Sequence, residues 1–320
     1  MNQPAFDCVC AGIVVADHIC EPVDRLPQPG GLVLTPKMDL ALGGCASNVA
    51  VDLARLGLRV CVVGRVGHDP FGAFARDELR RAGVDCTNLV RSSTAQTSGT
   101  LVINVSGEDR RFIHSTGANA EFDGSEVTPD IIRSARLLYL GGYCLSDALA
   151  PQNVAAMFKL ARAAGVATVL DVVIPRPADY WNALRPVLRY TDVFFPNHDE
   201  AAAITGSSDP IRQAEEFHRA GARTAVVTCG AHGAVLVSEN VRLRAPAYPV
   251  DFVDGTGSGD AFGAGYIYGL LAGCDHAACL KYGTALGASC VGRTGATTGV
   301  FDKAQLQEFL AAHELPITAI

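Results

Sequence analysis

Apolar residues recur along this chain in two rhythms. Short unbroken apolar runs alternate with stretches whose apolar positions fall three and four residues apart, and these predict buried strands and amphipathic helices. Residues 6–15 form the first strand-like run, which ends in Ala16-Asp17. A segment punctuated by Pro22, Pro27, Pro29, Gly30, Gly31 and Pro36 follows and suits irregular or edge-strand structure. Helical spacing returns at 45–56, with Val49, Leu53 and Leu56 on one face, and Gly57 stops it. A core strand at 60–66 and an amphipathic helix at 71–82 come next. Residues 97–105 and 111–114 read as a hairpin joined through Ser106-Gly107-Glu108-Asp109. With the Pro-rich segment, this hairpin predicts a small sheet outside the main one.

From residue 137 strand and helix alternate. Strands are expected at 137–140, 167–173, 193–196, Thr224–Thr228 and 234–237, and helices at 153–164, 210–220, 275–291 and Lys303–Ala312. Such alternation implies a parallel sheet covered on both faces. In such sheets ligands sit at the carboxyl ends of the strands. Asp17, Asp171, Asn197, Thr228 and Asp254 all fall at or just past the ends of strand-like runs. No internal repeat, low-complexity tract or linker interrupts the pattern, so one α/β domain with a lid is expected.

Composition narrows the class. With 49% hydrophobic and 18% charged residues, the chain can bury a substantial core. A formal net charge of −7 argues against a nucleic-acid partner, and no Lys/Arg block suggests a membrane surface. Residues 1–7 lack the features of a signal peptide, and no apolar run approaches the ~20 residues that span a bilayer. None of the eleven cysteines forms C-x-x-C, and the spacings of Cys8 with Cys10 and of Cys274 with Cys279 do not suit zinc. Most read as small core residues in a reducing cytoplasm.

The chemistry concentrates in residues 250–271, VDFVDGTGSGDAFGAGYIYGLL. A strand-like run breaks at Asp254-Gly255, and a helix starting near Ser258 is expected to continue through Leu271. Gly255, Gly257 and Gly259 remove the Cβ atoms that keep a backbone away from a ligand. The helix's first N–H groups and the positive end of its dipole make an anion site. Asp260 is the one acidic group pointing into a pocket shaped for phosphate. Its natural task is to accept a proton from a hydroxyl that attacks phosphorus. A Gly-rich turn with a first-turn Asp accounts for the same residues without chemistry. No G-x-x-x-x-G-K-[ST] occurs, and no third glycine follows Gly255 and Gly257 at Rossmann spacing.

D-G-T-G-S-G-D-A-F-G-A-G, residues 254–265, resembles the C-terminal signature of the ribokinase-like (PfkB-type) sugar kinases, D-T-x-G-A-G-D-x-F. Gly255 and Ser258 depart from that pattern. Gly43-Gly44-Cys45-Ala46-Ser47-Asn48-Val49-Ala50, followed by Gly57 and Gly67, matches the family's N-terminal signature. The resemblance implies a ribokinase-like domain over 1–315, with a central mostly parallel β-sheet flanked by helices. It places a small β-sheet lid at about 17–40 and 97–115.

The activity implied is ATP-dependent phosphorylation of a hydroxyl on a small unphosphorylated sugar (a pentose, hexose or keto-sugar acid). Asp260 would be the general base and Gly257, Ser258 and Gly259, within the loop 255–259, the anion hole. Asp17, Gly43, Gly44, Asn48 and Asn119 are expected to bind the sugar. Asn197, Thr228, Gly230, Gly233 and Thr256 are expected to bind ATP. Asn197-His198-Asp199-Glu200 resembles the family's N-x-x-E motif, which implies Mg²⁺ positioned by Asn197 and Glu200 through water. A helix start with acidic first-turn residues explains the same four residues. Asp254 and the loop Arg293-Thr294-Gly295-Ala296 are expected near a monovalent cation, K⁺. A homodimer through the lid and a cytoplasmic location are further implications.

Two departures bear on substrate choice. Cys45 stands where ribokinases usually carry Lys. Asp171-Val172-Val173-Ile174-Pro175-Arg176-Pro177, followed by Trp181, partly resembles the D-x-N-x-R-P segment of fructokinases and ketodeoxygluconate kinases, with Val173 for its Asn and Arg176 one residue late. A nucleoside kinase of the same family and a non-catalytic sugar-binding homologue are the alternatives.

Overall fold

The computed structural model describes residues 4–108, 111–175 and 178–320. Its elements run β1 (Phe6–Gly12), β2 (Val15–Cys20), β3 (Met38–Gly43), α1 (Cys45–Arg55), β4 (Val60–Gly67), α2 (Pro70–Arg81), β5 (Leu89–Ser92), β6 (Gly99–Ile103) and β7 (Arg111–Ser115). A 3₁₀ turn (Gly117–Glu121) leads to α3 (Pro129–Arg133), β8 (Ala135–Tyr143), α4 (Pro151–Ala163), β9 (Ala167–Val172), α5 (Trp181–Leu188), β10 (Val193–Phe195), α6 (His198–Thr205) and α7 (Pro210–Arg219). Then come β11 (Thr224–Thr228), β12 (Ala234–Ser238), β13 (Arg242–Ala245), α8 (Ser258–Leu271), α9 (His276–Cys290), α10 (Lys303–Ala312) and β14 (Thr318–Ala319).

Ten strands form the main sheet in the order β14-β13-β12-β11-β10-β9-β8-β1-β4-β5. From β5 to β11 the neighbours run parallel; β12, β13 and β14 finish the sheet antiparallel. The alternation along β1 shows why both faces are buried. Cys8 and Cys10 pack with α1, α8 and α9, while Val9 and Ala11 pack with α4, α5 and α7. The two thiols lie 3.7 Å apart on the same side of the strand, and among the described residues no cysteine is in a disulfide.

The run at 6–15 is two strands rather than one. At Gly12 a Cβ would stand 2.1 Å from the carbonyl oxygen of Gly141, so the chain turns out of the main sheet there. It resumes as β2 in a separate four-stranded sheet, β3-β2-β6-β7, which is the expected lid. Asp17 therefore lies within a lid strand, opposite Ala41 and Thr100, rather than at the end of a core strand. The strand expected at 250–253 is also absent. Val250, Phe252 and Val253 are exposed there, so their apolar character serves no core. Short polar strands such as β5 and β13 escaped the pattern, as did α5, which carries Pro186 inside it. The junction Asp109 and the Arg176-Pro177 pair lie outside the described residues. Among the described residues, no helix is long and apolar enough to cross a membrane.

One side chain fixes the crossing from main sheet to lid. Asn119, in the 3₁₀ turn and buried, accepts from the N–H of Val14 at 3.2 Å and donates to its carbonyl at 3.0 Å. Both ends of its amide are thus engaged by the Val14 backbone, which gives Asn119 a positioning role at the start of β2. Asn119→Ala should lower the unfolding free energy by about 1–3 kcal/mol, because it strands two buried backbone groups. Urea denaturation checks this. A higher sugar KM with unchanged stability would instead make Asn119 a sugar contact.

Candidate active site

Two helix starts meet at the centre of the molecule. α8 begins after Gly257, whose φ of 77° places it in the left-handed region, and no side chain caps the helix. A Cβ on Gly257 would stand 2.3 Å from the carbonyl oxygen of Ala296, so both conformation and packing demand glycine. Gly259 differs: a Cβ there would meet nothing within 4 Å. Its glycine is not required by the fold and leaves the first turn open to a ligand. α1 also begins after a glycine, Gly44, without a side-chain cap. Asn48 on α1 donates through Nδ2 to Asp260 Oδ2 at 2.8 Å, joining the two first turns.

Acidic groups gather around that bond. The Cys45 thiol, Asp171 and Asp260 each present an atom within 4.8 Å of the others. Burial pushes the Asp260 carboxyl above its ordinary value, opposed by hydrogen bonds from Asn48 and Cys45. Asp171, at the end of β9, is raised by burial and then by the charges of Asp260 and Glu200; the Cys45 thiol and the Gly142 N–H oppose this. Burial lifts Glu200 to about 7, against the N–H groups of Asn197 and Ile174 and with the charge of Asp260. Asp17 is lifted by burial to about 6, with a bond from Thr100 opposing and Asp260 reinforcing. Gly43 leaves room for this carboxylate, since a Cβ there would lie 1.9 Å from Asp17 Oδ2. Among the described residues no Lys or Arg pairs with any of these four acids.

On the other side of the α8 start lies a cavity of about 630 Å³. Thr228, Gly230 and Gly233 line it together with Gly255, Ser258 and Gly259. Val250, Phe252, Phe262 and Val291 give it an apolar wall. Asn197 adjoins through a parallel bridge to Thr228, at the carboxyl ends of β10 and β11.

Other expected residues are placed differently. Asn197 and Glu200 close a reciprocal capping box at the start of α6: Asn197 Oδ1 accepts from the Glu200 N–H at 2.9 Å, and Glu200 Oε2 accepts from the Asn197 N–H at 3.0 Å. Thr256 does not face the cavity; its N–H and hydroxyl donate to Asp254 Oδ1. Asp254 Oδ2 accepts from the Gly295 N–H at 3.0 Å, which ties the glycine loop to residues 293–296. Sequence reasoning missed the grouping of Cys45 and Asp171 beside Asp260. The departure from Lys at position 45 was its one signal.

The raised acids set a pH dependence. Asp17 holds its proton more tightly folded than unfolded, so its contribution to stability is complete below its ordinary value of 3.8 and is lost as pH rises through about 6. Asp17→Asn removes this loss. The melting temperature of Asp17→Asn relative to the unaltered protein should therefore climb between about pH 4 and pH 7. A flat or falling difference across that window contradicts the assignment.

Comparisons with known proteins cover nearly the whole chain. The pfkB family carbohydrate kinase model matches residues 5–303. A ribokinase of Haemophilus influenzae is 27% identical over 307 residues, spanning 93% of this chain and 96% of that protein. A nucleoside kinase of Methanothermobacter thermautotrophicus is 28% identical over 315 residues, spanning 97% and 98%. In three dimensions the chain is similar to an Arabidopsis thaliana ribokinase complexed with ribose and ATP, with a TM-score of 0.83, 24% identity, and 96% and 99% of the two chains covered. The chain belongs to the pfkB family of carbohydrate kinases.

Proposed function

We propose that this kinase transfers the γ-phosphoryl group of ATP to a hydroxyl of a small unphosphorylated sugar, a pentose or hexose. One observation carries the reading: Asp260 stands at the uncapped start of α8, directly after Ser258 and Gly259, which line the nucleotide-sized cavity, and its charge bears on Asp17, Asp171 and Glu200. Asn48 holds Asp260 Oδ2, and the carboxylate takes the proton of the acceptor hydroxyl as the new O–P bond forms. Its raised pKa brings it nearer the operating pH, where a general base works best. The N–H groups of Gly259 and Asp260, after the Gly257 turn, face the charge that develops on the moving phosphoryl group, whereas the Ser258 N–H donates to the Gly255 carbonyl at 3.3 Å and is not the free donor expected of it. Asp17 accepts from sugar hydroxyls, and Gly43 leaves room for its carboxylate; Gly44 is instead required by the Ile13 carbonyl, 2.6 Å from where its Cβ would stand, and is not the sugar contact expected. The acidic surroundings of Asp171 and Glu200 oppose a carboxylate or phosphate on the acceptor, so a keto-sugar acid is supported less than a neutral sugar.

The residues present fit the partners this chemistry needs. Thr228, Gly230 and Gly233 would hold ATP, which supplies the phosphoryl group. A neighbour in the fold comparison is complexed with ATP and Mg²⁺. With Asn197 and Glu200 bonded to each other, their remaining lone pairs would hold Mg²⁺ through water. The Asp254 carboxylate and the carbonyls of Thr256 and Ala296 would take K⁺. The Cys290 thiol lies 3.3 and 3.2 Å from those two carbonyl oxygens, which places them on one small patch. Leu32, Leu34, Met38, Phe112 and Ile113 are exposed on and beside the lid, which supports a homodimer through that sheet. A single domain over 1–315 and a cytoplasmic location complete the proposal. A nucleoside acceptor is the second reading, favoured by the Methanothermobacter relative and by Phe112 on β7.

ADP release with ATP, Mg²⁺ and a panel of sugars and nucleosides tests the function. Asp260→Asn should lower kcat roughly 10²–10⁴-fold with ATP affinity little changed. Asp17→Ala should raise the sugar KM about ten- to a hundredfold and leave the KM for ATP alone. Near-normal turnover by Asp260→Asn on the true acceptor would sink the assignment.

A further inference from the structure

Around the proton acceptor lies a donor set of which sugar phosphorylation uses only Asp260. Cys45 Sγ, a carboxylate oxygen of Asp171 and a carboxylate oxygen of Asp260 all stand within 4.8 Å of one another. They project from three fixed places: the first residue of α1, the end of β9 and the first turn of α8. Their partners are one another, the N–H of Gly142 and the Asn48 amide, with no basic side chain among the described residues. Three groups that become anions thus face one another without a compensating cation.

A second observation points to a ligand at the same spot. Asn48 lies one helical turn beyond Cys45, on the same face of α1. It is only 4% exposed, and among the described residues its Oδ1 has no hydrogen-bond partner. Its Nδ2 is fixed on Asp260, so the orphaned oxygen, carried on the same amide carbon, sits beside the same carboxylate. Buried oxygens are rarely left without a partner.

We propose that Cys45, Asp171 and Asp260, with Asn48 Oδ1 beside them, form a binding site for a thiophilic divalent cation such as Zn²⁺. Zinc bonds sulfur at about 2.3 Å and carboxylate oxygen at about 2.0–2.2 Å, so tetrahedral ligand atoms stand roughly 3.3–3.7 Å apart. Small side-chain rotations bring the three donors to that spacing. On binding, the Cys45 thiol releases its proton to solvent and the thiolate bonds the metal; no electron is transferred. Mg²⁺ wants an octahedron of oxygens and takes thiolate poorly, so it does not compete. With Asp260 as a ligand, the bound metal removes the proton acceptor and holds the kinase inactive. That consequence rests on the proposed function; the binding itself does not.

The test titrates the full chain with Cd²⁺ in excess Mg²⁺, without ATP or sugar, following thiolate-to-cadmium charge-transfer absorption. One equivalent should saturate the signal, and Zn²⁺ should displace it. Cys45→Ser should lose the signal although the other cysteines remain. Asp171→Asn should weaken binding at least about tenfold while its thermal melt shows a folded protein. An undiminished signal in Cys45→Ser, equal affinity in Asp171→Asn, or no stoichiometric binding overturns the proposal. Zn²⁺ should also suppress ADP release by the unaltered enzyme over the same concentrations. Saturated metal with undiminished ADP release would leave the site standing and remove Asp260 from the reaction, so the two readings fail separately.

Discussion

The 2.8 Å bond between Asn48 and Asp260 links the first turns of α1 and α8, and the site is built around it. α1 packs on β1, β4 and β8, so its start is fixed by the sheet. α8 is held from the other side by α9 and by the Ala296 carbonyl against Gly257. Each helix begins after a positive-φ glycine and lacks a side-chain cap. Two positive helix ends therefore converge on a carboxylate that a general base needs held and partly desolvated. On the proposed reading, the same convergence leaves the N–H groups of Gly259 and Asp260 for the charge that develops on the moving phosphoryl group.

The charge around that carboxylate sets what the pocket can take. Asp17, Asp171 and Glu200 all have raised pKa values, each with burial as the first cause and Asp260 as a contributor. Position 45 supplies a neutral thiol, which burial and the neighbouring acids hold protonated. Such a pocket suits the neutral, hydroxyl-rich acceptor of the proposed function. It also invites a cation, and the thiol biases that invitation towards soft metals.

The sheet and the α8 start were legible in the sequence because both rest on local rules. Runs such as Thr224–Thr228 have no helical alternative, and Gly257-Ser258-Gly259 marks a helix start by the absence of Cβ atoms. The break at Gly12 was not legible, because its cause is the Gly141 carbonyl of a strand far along the chain. Val250 and Phe252 misled for a related reason: apolar residues that line a ligand cavity have the pattern of a strand. Asn119 and Thr256 fit the family's motif positions, yet their side chains are engaged by Val14 and Asp254. The Cys45–Asp171–Asp260 grouping joins three elements that only the tertiary fold brings together.

The central claim is that Asp260 accepts the proton while Asn48 tunes it. The most direct measurement is the pH dependence of kcat/KM for the acceptor, compared between the unaltered enzyme and Asn48→Ala. The Asn48 hydrogen bond lowers the Asp260 pKa, so its loss should move the acid limb to higher pH. An acid limb that stays in place while kcat/KM falls equally at every pH would contradict the account.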